Sequence, residues 1–518
     1  VLDNLSFDYN GNGSLPFFGK TKALAVWKEA LSDEELADLT YPTPTDPTFA
    51  LDFDTIATDF TFARGSEATY VDAQGLIQST NEIGDEEITN GDFSNGSTDW
   101  VLNDWTISGG KASLLNGSSF IAQSNILEIG KTYKIQYTIS DYVSGSIRWR
   151  SSGVNGSVNT SNGVVTDYIT VAGTSFSIQG YDGFTGSIDN ISAKEYITAT
   201  NTPRLDYSTG AEAFLLEPQS TNLIPYSEDF SDASWTGAAT SATITASTNI
   251  NPSGGSGTYF VENVAGTQLG AVVSVTSGLS YTGSFYVRNV SGSGAITLRD
   301  VNSVTTAFTA TDEWQRFLVT GVATGPGRLY INVLTTGDVI EVWGAQLEQQ
   351  SYATSYIPTS GTSVTRNQET CINATPEINS EEGVLYAEIA ALSDDGTTRR
   401  LAISDGSTSN RVFIGYDVNT NSVQFVVSSG GSVVVNQTFT ISDTTQFSKL
   451  AIKYKLNDCS FWIDGVKVGT DTTALMPIGL NQVIFAQGDI SRPFFGNTKD
   501  LKVYPKALSD AELIKLTT

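Results

Sequence analysis

The sequence PFFGNTKDLKVYPKALSDAELIKLT, residues 493–517, ends the chain, and PFFGKTKALAVWKEALSDEELADLT occupies residues 16–40. At this offset of 477 positions, 16 of the 25 residues are identical. In both copies an alternation of apolar and polar residues predicts a strand, and the leucine spacing that follows it predicts a short helix. Ser509, with Glu512 three positions later, has the pattern of a capping box, and the earlier copy repeats this pair. Each copy is therefore predicted to be one strand and one closing helix.

A strand and a helix of this size cannot bury their apolar faces alone. We therefore interpret residues 1–45 as the final strand and helix of an upstream domain of the same kind as the C-terminal one. The first residue, Val1, fits a chain that is the later part of a longer or processed product. The alternative is that this segment docks into a partner chain.

Composition limits the classes of function. A length of 518 residues predicts three or four domains. The 56 acidic and 28 basic residues give a net charge of −28, which argues against binding to nucleic acid phosphates and to anionic membranes. No apolar run reaches the roughly 20 residues of a membrane span. We expect neither a nucleic acid partner nor membrane insertion.

The sequence contains no histidine, which excludes a Ser-His-Asp triad and histidine-bound zinc. Paired carboxylates, as in glycosidases, remain open to an enzyme, but the acids occur mainly in turn contexts such as SDDGTT. We therefore expect no catalytic activity. Cys371 and Cys459 are 88 residues apart, and two free thiols in a protein assembled in a reducing cytoplasm are favoured over a disulfide.

Short alternating segments separated by Asn-Gly, Gly-Gly and Ser-Gly turns fill residues 81–200 and predict a β-sandwich. Residues 221–365 repeat the plan: DFSNGSTDW is matched by DFSDASW, and GKTYKIQYTIS by GLSYTGSFYVRNV. Residues 366–518 read as a third sandwich. The predicted class is all-β, with tandem β-sandwich (jelly-roll) modules and short capping helices.

The order of an opening NGDFS, a GKTYKIQYTIS strand and a closing IDNIS strand resembles the galactose-binding-like jelly rolls of carbohydrate-binding modules. The resemblance implies sugar binding on a sheet face or at loop tips, and a structural calcium held between the opening and closing segments. Its implied ligands are Asp92 and Asp189 in the first copy, and Asp229 and Glu341 in the second. The alternative is that these carboxylates cap turns or face water, since calcium needs six or more oxygens.

The hairpin KLAIKYKLNDCSFWIDGVKVG, residues 449–469, precedes the C-terminal strand and helix. These two motifs, in this order, resemble the laminin-G-like or concanavalin-like lectin jelly roll. In this third sandwich Asp405, Arg411 and Tyr416 are weaker ligand candidates near loop ends.

The segments 46–80 and 201–220 connect the predicted modules, and together with the residues that follow them they resemble paired segments of bacteriophage head-spike and tail-fibre proteins. Residues 81–200 then look like an insertion between them. Arg204 and Asp206 are expected to form an ion pair across a hairpin. The residues that match the phage pattern are Arg64, Ala68, Thr69, Gly75, Pro203, Arg204, Leu205, Asp206, Tyr207, Gly210, Glu217, Pro218, Thr221, Asn222 and Leu223.

A sugar site needs an aromatic face and planar polar groups. In SIRWRSS, alternation places Arg148 and Arg150 on one face of a strand and Trp149 on the other. We take all three as glycan-binding candidates, together with Tyr142, Tyr181 and Phe184 in Gly-flanked loops. Ordinary packing is the alternative for each aromatic residue, above all for Trp149. The tryptophans predicted to be core residues are Trp100, Trp105, Trp235, Trp314, Trp343 and Trp462.

The phage resemblance predicts a head or tail fibre or spike, displayed on the virion surface after assembly in the host cytoplasm. It implies a homotrimer that contacts other virion proteins and binds a bacterial surface polysaccharide. The alternatives are a capsid decoration protein that binds only virion proteins, an exported bacterial adhesin, and a polysaccharide-degrading enzyme.

Overall fold

The computed structural model describes most of the chain, namely residues 30, 46–236, 240–325 and 327–518. Strands dominate these residues, which confirms the predicted all-β class. Their three helices are α1 Ile56–Asp59, α2 Ala233–Thr236 and α3 Asp510–Thr517. None of them is long and apolar enough to cross a membrane. The predicted earlier copy of the strand and helix, residues 16–40, lies outside the described residues except for Ala30.

The first described segment contains four short strands, β1 Phe49–Ala50, β2 Thr61–Ala63, β3 Thr69–Val71 and β4 Ile77–Ser79. Strands β3 and β4 form an antiparallel hairpin. The first sandwich follows with β5 Glu82–Glu86, β6 Val101–Leu102, β7 Thr106–Ser108, β8 Lys111–Gly117, β9 Phe120–Gln123, β10 Thr132–Ser151, β11 Val154–Asn155, β12 Gly163–Thr170 and β13 Phe176–Ile197.

Two long strands, β10 and β13, build both layers of the first sandwich. Their pairing shifts register between Ser140 and Ser146, so the first half of β10 lies beside β12 and its second half beside β11. Alternation puts Tyr137 and Ile139 of the first half, with Ile147 and Trp149 of the second, into one buried core. The residues between them in sequence face outward.

Three strands lead to the second sandwich, β14 Arg204–Asp206, β15 Ala213–Leu216 and β16 Ser220–Asn222. The sandwich itself consists of β17 Thr240–Ile250, β18 Ser256–Val273, β19 Ser280–Ser291, β20 Ala295–Arg299, β21 Thr305–Thr309, β22 Gln315–Val322, β23 Gly327–Val333 and β24 Val339–Glu348. Its strand order is β21-β20-β23-β18-β24-β19-β22, with β17 paired to β18. Here β19 and β20 correspond to the two halves of β10, and β23 and β24 to the two halves of β13, so the two sandwiches share one design.

The C-terminal sandwich packs an eight-stranded sheet on a five-stranded one. Its chain runs through β25 Val364–Arg366, β26 Thr370–Ile372, β27 Glu382–Ala391, β28 Arg399–Ser404, β29 Arg411–Tyr416, β30 Ser422–Ser429, β31 Ser432–Thr440, β32 Ser448–Lys455, β33 Cys459–Ile463, β34 Val466–Asp471, β35 Gln482–Ile484 and β36 Gly496–Tyr504. Helix α3 closes the domain with the predicted capping box of Ser509 and Glu512, and Leu513 is buried against the outer side of the larger sheet. The strand and helix predicted from residues 493–517 are therefore confirmed.

The connecting segments join the sheets of the C-terminal region. Strands β1 and β15 pair with β36, while β2 pairs with β26 and β16 with β25. The entry and exit of the first sandwich meet, because the backbone N–H of Ala199 donates to Oδ1 of Asn81 at 2.9 Å. A module whose ends meet can sit between two paired segments without separating them.

A cluster of buried charges fastens these segments together, and we call Arg64, Arg204, Glu217, Arg366 and Glu369 the charge hub. Glu369 forms ion pairs with Arg64 at 2.8 Å and with Arg204 at 2.6 Å. Glu217 pairs with Arg204 at 2.9 Å and with Arg366 at 2.6 Å. All five side chains are at most 2% exposed. The hub therefore ties together parts of the chain that are far apart in sequence.

The expected ion pair between Arg204 and Asp206 is wrong. Asp206 instead accepts hydrogen bonds from the backbone N–H groups of Val71 at 2.8 Å and Ser208 at 2.9 Å. Cys371 and Cys459 are both buried free thiols, as favoured from the sequence.

Candidate functional site

The second half of β10, the first half of β13 and β9 present an outward face on the first sandwich. Arg148 lies opposite Gln179 in the pairing of β10 with β13, and Gln179 lies opposite Phe120 in the pairing with β9. Directly opposed residues share one side of a sheet, so these side chains form one row. We call this surface the arginine face and define it by Phe120, Arg148, Arg150, Asn155, Gln179 and Tyr181.

Contacts within the arginine face hold its planar groups in fixed positions. The guanidinium carbon of Arg148 lies 4.6 Å from the centroid of the Tyr181 ring. Arg150 donates to the side-chain oxygen of Gln179 and, at 3.1 Å, to that of Asn155. The Tyr181 hydroxyl also donates to Gln179, at 3.1 Å. The face is therefore preorganised rather than a set of free side chains.

The guanidinium of Arg148 has N–H donors that no described residue uses. It stacks on Tyr181 but donates a hydrogen bond to no described residue, and its buried Nε has no partner among them. Phe120, in the same row, is 36% exposed. An exposed ring in the same row as unused planar donors is the combination that a sugar requires, since the ring covers C–H groups and the donors reach oxygens.

The second sandwich carries a related arrangement on corresponding strands. Arg299 of β20 lies opposite Tyr330 of β23, and its guanidinium carbon is 5.6 Å from the ring centroid. Arg328 donates to the Tyr330 hydroxyl at 3.0 Å. The ring lies over Gly270, where any Cβ would come within 1.9 Å of it, and this explains a glycine inside the strand. Both modules thus place arginine over tyrosine on the same face.

Two of the six predicted glycan-binding residues are wrong. Trp149 and Phe184 are both 0% exposed, so neither ring can contact a ligand. Trp149 points into the core because it alternates with the arginines, and Phe184 lies within strand β13 rather than in a loop. Tyr142 is half-buried against Phe184, and its hydroxyl donates to the carbonyl of Gly145 at 2.9 Å. The structure brings together Arg148, Arg150 and Tyr181.

The residues that the sequence did not single out are Phe120, Asn155 and Gln179. Asn155 and Gln179 lie on β11 and β13, which pair with β10, and Phe120 lies on β9, which pairs with β13. Only these pairings place the three residues on the same face as the arginines. Their alternation within each strand was the available signal, but it does not give the register between strands.

The predicted tryptophan core is confirmed for five residues, and Trp314 is the exception. It is half-buried, donates from its indole N–H to the carbonyl of Ile250 at 3.2 Å and packs against Arg288. The buried tryptophans are Trp100, Trp105, Trp235, Trp343 and Trp462.

The predicted calcium ligands do not assemble a site. Among the described residues no group of three or more His, Cys, Asp and Glu side chains could hold a metal ion. Asp92 accepts two hydrogen bonds from Ser94, and Asp189 accepts one from the backbone N–H of Asn190 at 2.6 Å. Both carboxylates therefore stabilise local turns, as the alternative interpretation proposed.

The second pair of predicted calcium ligands is also engaged elsewhere. Glu341 is 0% exposed, forms an ion pair with Arg288 at 2.6 Å and accepts hydrogen bonds from Asn249 and Thr258. Cationic and hydroxyl donors occupy both of its oxygens. The prediction that Glu341 is a calcium ligand is therefore wrong. Asp229 accepts from Ser231 and, at 2.8 Å, from the hydroxyl of Tyr259.

The weaker candidates in the C-terminal sandwich have structural partners. Tyr416 is buried and donates to the carbonyl of Ile389 at 2.9 Å, and Asp405 accepts from Ser407 and Asn410 in its own loop. Because of these contacts, neither the Tyr416 nor the Asp405 side chain is available to bind a ligand.

Arg411, the third of these candidates, belongs to another cluster of arginines on an aromatic ring. Its guanidinium carbon lies 5.3 Å from the ring centroid of Phe413, and that of Arg400 lies 4.5 Å from it. Burial, together with the neighbouring Arg492 and Arg411, lowers the pKa of Arg400 to about 10. An arginine stacked on an aromatic ring therefore occurs in all three sandwiches.

Several solved structures show a weak likeness to parts of the chain. The leech intramolecular trans-sialidase is 21% identical over 27% of this chain, with a TM-score of 0.24, and the chain spans 23% of that protein. Domain 4 of the arabinanase AbnA from Geobacillus stearothermophilus is 14% identical over 29% of this chain and 73% of its own, with a TM-score of 0.24. The CBM22-1-CBM22-2 tandem domain of Xyn10C from Paenibacillus barcinonensis is 8% identical over 52% of this chain and 99% of its own, with a TM-score of 0.19.

No curated protein matches the chain in sequence. A family model does match its C-terminal sandwich, in agreement with the resemblance carried by the hairpin and the closing strand and helix. Residues 380–514 match the model of the concanavalin A-like lectin/glucanases superfamily.

Proposed function

We propose that this chain is a glycan-binding protein and that the arginine face of its first sandwich is the principal binding surface. The observation that carries the proposal is the unused guanidinium of Arg148, stacked on Tyr181 in the same row as the exposed ring of Phe120. The match of residues 380–514 to a lectin and glucanase superfamily supports the same class of function.

We further propose that the chain is a fibre or spike of a bacteriophage virion, on the head or on the tail. The support is the resemblance of segments 46–80 and 201–220 to paired segments of such proteins. Its partners would be a bacterial surface polysaccharide and other virion proteins, and the expected assembly is a homotrimer on the virion surface. Catalysis is not part of this proposal.

Shallow, weak sites suit a fibre that binds polysaccharide, because each fibre carries many copies of them. Arginine-on-aromatic pairs occur in both galactose-binding-like sandwiches, and several chains in one fibre would multiply them again. Linked weak sites raise the overall avidity by factors of about 10² to 10⁴ without any tighter single site. A polysaccharide with a regular repeat offers the matching row of epitopes.

The test is binding of the purified chain to a panel of bacterial surface polysaccharides, compared with Arg148→Ala/Arg150→Ala. A matched control is Lys506→Ala, which removes an exposed cation from the C-terminal sandwich, outside the arginine–aromatic pairs described above. We expect saturable binding to one polysaccharide and at least about a tenfold weaker affinity in the double variant, because one stacked and one hydrogen-bonded guanidinium are lost.

Other outcomes would favour the alternatives. Absence of binding, including to the polysaccharide of a proven host, would overturn glycan recognition and favour a decoration protein that contacts only virion proteins. Release of oligosaccharides from the bound polysaccharide would show catalysis and contradict a pure binding role.

A further inference from the structure

A cleft separates the first and second sandwiches, next to the hairpin of β3 and β4. One cavity of about 320 Å³ is lined by Glu67 of the hairpin segment, Lys134 and Tyr168 of the first sandwich, and Glu228 and Trp343 of the second. A second cavity of about 570 Å³ adjoins it, because Tyr168, Glu228 and Pro358 line both. These volumes fall within the roughly 300–1,000 Å³ of ligand sites.

We call the two cavities together the intermodule cleft and define it by Glu67, Lys134, Tyr168, Glu228, Tyr259 and Trp343. The wall on the first sandwich is the outer face of the other half of the β10 and β13 pair. Lys134 lies opposite Tyr168 on β12, and on its own strand it alternates with the buried Tyr133 and Ile135. The cleft and the arginine face therefore use different surfaces of the same module.

Aromatic rings line the cleft on both sides. Tyr168 is 54% exposed, although its ring centroid lies only 4.7 Å from that of Tyr196. Across the cleft Trp343 and Tyr356 pack with their ring centroids 4.7 Å apart, and both are buried as part of the floor. A large ring left half-exposed inside a cavity offers a stacking surface.

The charges of the cleft are mostly negative. Glu67, Glu228 and Asp229 contribute three carboxylates, while Lys134 contributes one ammonium group that has no ion pair among the described residues. The Tyr356 hydroxyl donates to Oε1 of Glu228 at 2.9 Å, and the other oxygen of Glu228 accepts from no described residue. The cleft thus contains at least one carboxylate oxygen ready to accept a hydrogen bond.

We propose that the intermodule cleft is a second glycan site, which takes a neutral oligosaccharide. The location and the charge preference are new inferences, and only the choice of a sugar as ligand rests on the proposed function. Sugar hydroxyls donate to carboxylates in strong charge-assisted hydrogen bonds, and the C–H face of a pyranose packs on an exposed ring such as that of Tyr168. A saccharide carrying carboxylates would be repelled by the three acids and is excluded.

The experiment measures the affinity of the full chain for neutral oligosaccharides and for oligosaccharides that contain uronic acids. The cleft variants are Tyr168→Ala and Glu228→Gln. Val164→Ala is the control for the first, because Val164 lies on the same strand, is 67% exposed and is not part of the cleft. Glu313→Gln, at an exposed position outside the cleft, repeats the charge change of the second.

We expect both cleft variants to weaken the binding of the best neutral oligosaccharide at least about tenfold, while the two controls leave it unchanged. The melting temperature of Tyr168→Ala should stay within about 2 °C of the parent, since the side chain is exposed. Loss of binding with an unchanged melting temperature would therefore report on the site rather than on folding.

The outcomes separate this inference from the proposed function. If the chain binds glycans but the cleft variants behave like their controls, the cleft is not a site and the arginine face stands. The cleft is likewise not a site if the chain prefers oligosaccharides that contain uronic acids and only Arg148→Ala/Arg150→Ala weakens their binding. If the parent chain binds no glycan of either kind, both proposals fall.

Discussion

The charge hub and the arginine face use the same side chain in opposite ways. In the hub three arginines meet two glutamates, and all five side chains are buried. On the arginine face Arg148 and Arg150 are partly exposed, and neither forms an ion pair among the described residues. The chain has twice as many acids as bases, so the lack of an ion-pair partner among the described residues distinguishes these two arginines from those of the hub.

The difference has an energetic meaning. Desolvation costs several kcal/mol per buried ion, so a cluster of buried guanidiniums needs carboxylates close enough to pair with them. The hub meets this condition with partners drawn from three segments. A partly exposed guanidinium costs little to leave unpaired, so its donors stay available to a ligand. Arginine is therefore structural where the fold supplies carboxylates and available for binding where it does not.

The largest effect is expected from Glu369→Gln in the hub. Glu369 pairs with Arg64 and Arg204 and accepts the backbone N–H of Glu217 at 2.8 Å. Removing its charge leaves two buried guanidiniums short of a partner, so we expect a loss of about 3–5 kcal/mol in unfolding free energy. Urea denaturation followed by tryptophan fluorescence measures this loss.

Glu313→Gln is the matched control at an exposed position, and its unfolding free energy should stay within about 0.5 kcal/mol of the parent value. An equal shift in both variants would contradict a stabilising hub.

The hub also marks the limit of prediction from this sequence. Alternation within SIRWRSS correctly separates Arg148 and Arg150 from the buried Trp149, because a strand has a strict period of two. For Arg204 the nearest acid in sequence, Asp206, was expected as its partner, whereas its partner Glu369 lies 165 residues away. Such pairing depends on how modules dock, which local patterns do not encode. The intermodule cleft escaped detection for the same reason.

Acid should weaken the hub before it affects the arginine face. Burial opposes ionisation of Glu217, but Arg366 and Arg204 outweigh it and lower its pKa from 4.5 to about 2. A carboxylate with a depressed folded pKa stabilises fully above its unfolded pKa, and this contribution disappears as the pH falls from 4.5 toward 2. It is worth on the order of 3 kcal/mol.

Urea midpoints measured between pH 6 and pH 2 test this expectation. Other carboxylates titrate in the same window, so the parent is compared with Glu217→Gln. The variant should be less stable at pH 6 and should lose less stability on acidification. Parallel curves for the two proteins would show that Glu217 does not carry the effect.

On the arginine face the order of effects reverses, with little change in stability and a clear change in binding. Arg148→Ala/Arg150→Ala should shift the unfolding free energy by about 1 kcal/mol or less, well below the change expected in the hub, because both side chains are partly exposed and neither is ion-paired. Affinity for the bound polysaccharide should fall at least about tenfold, equal to about 1.4 kcal/mol. Calorimetric titration and urea denaturation of the same preparations measure both quantities. A large loss of stability would make these arginines structural and remove the contrast with the hub.

The smallest effect separates charge from shape. Arg148→Lys keeps the positive charge but replaces the planar fork that stacks on Tyr181. If charge alone attracted the ligand, lysine would bind as well as arginine. If the stacked position and directed donors of the guanidinium matter, we expect about a twofold to fivefold weaker affinity, because lysine lacks the planar fork that Tyr181 holds in place. In the Tyr181→Ala background the same replacement should cost less, because the ring that distinguishes arginine from lysine is gone. Equal losses in both backgrounds would show that the preference for arginine over lysine comes from the hydrogen bonds of the guanidinium. The Tyr181 ring would then not contribute to that preference.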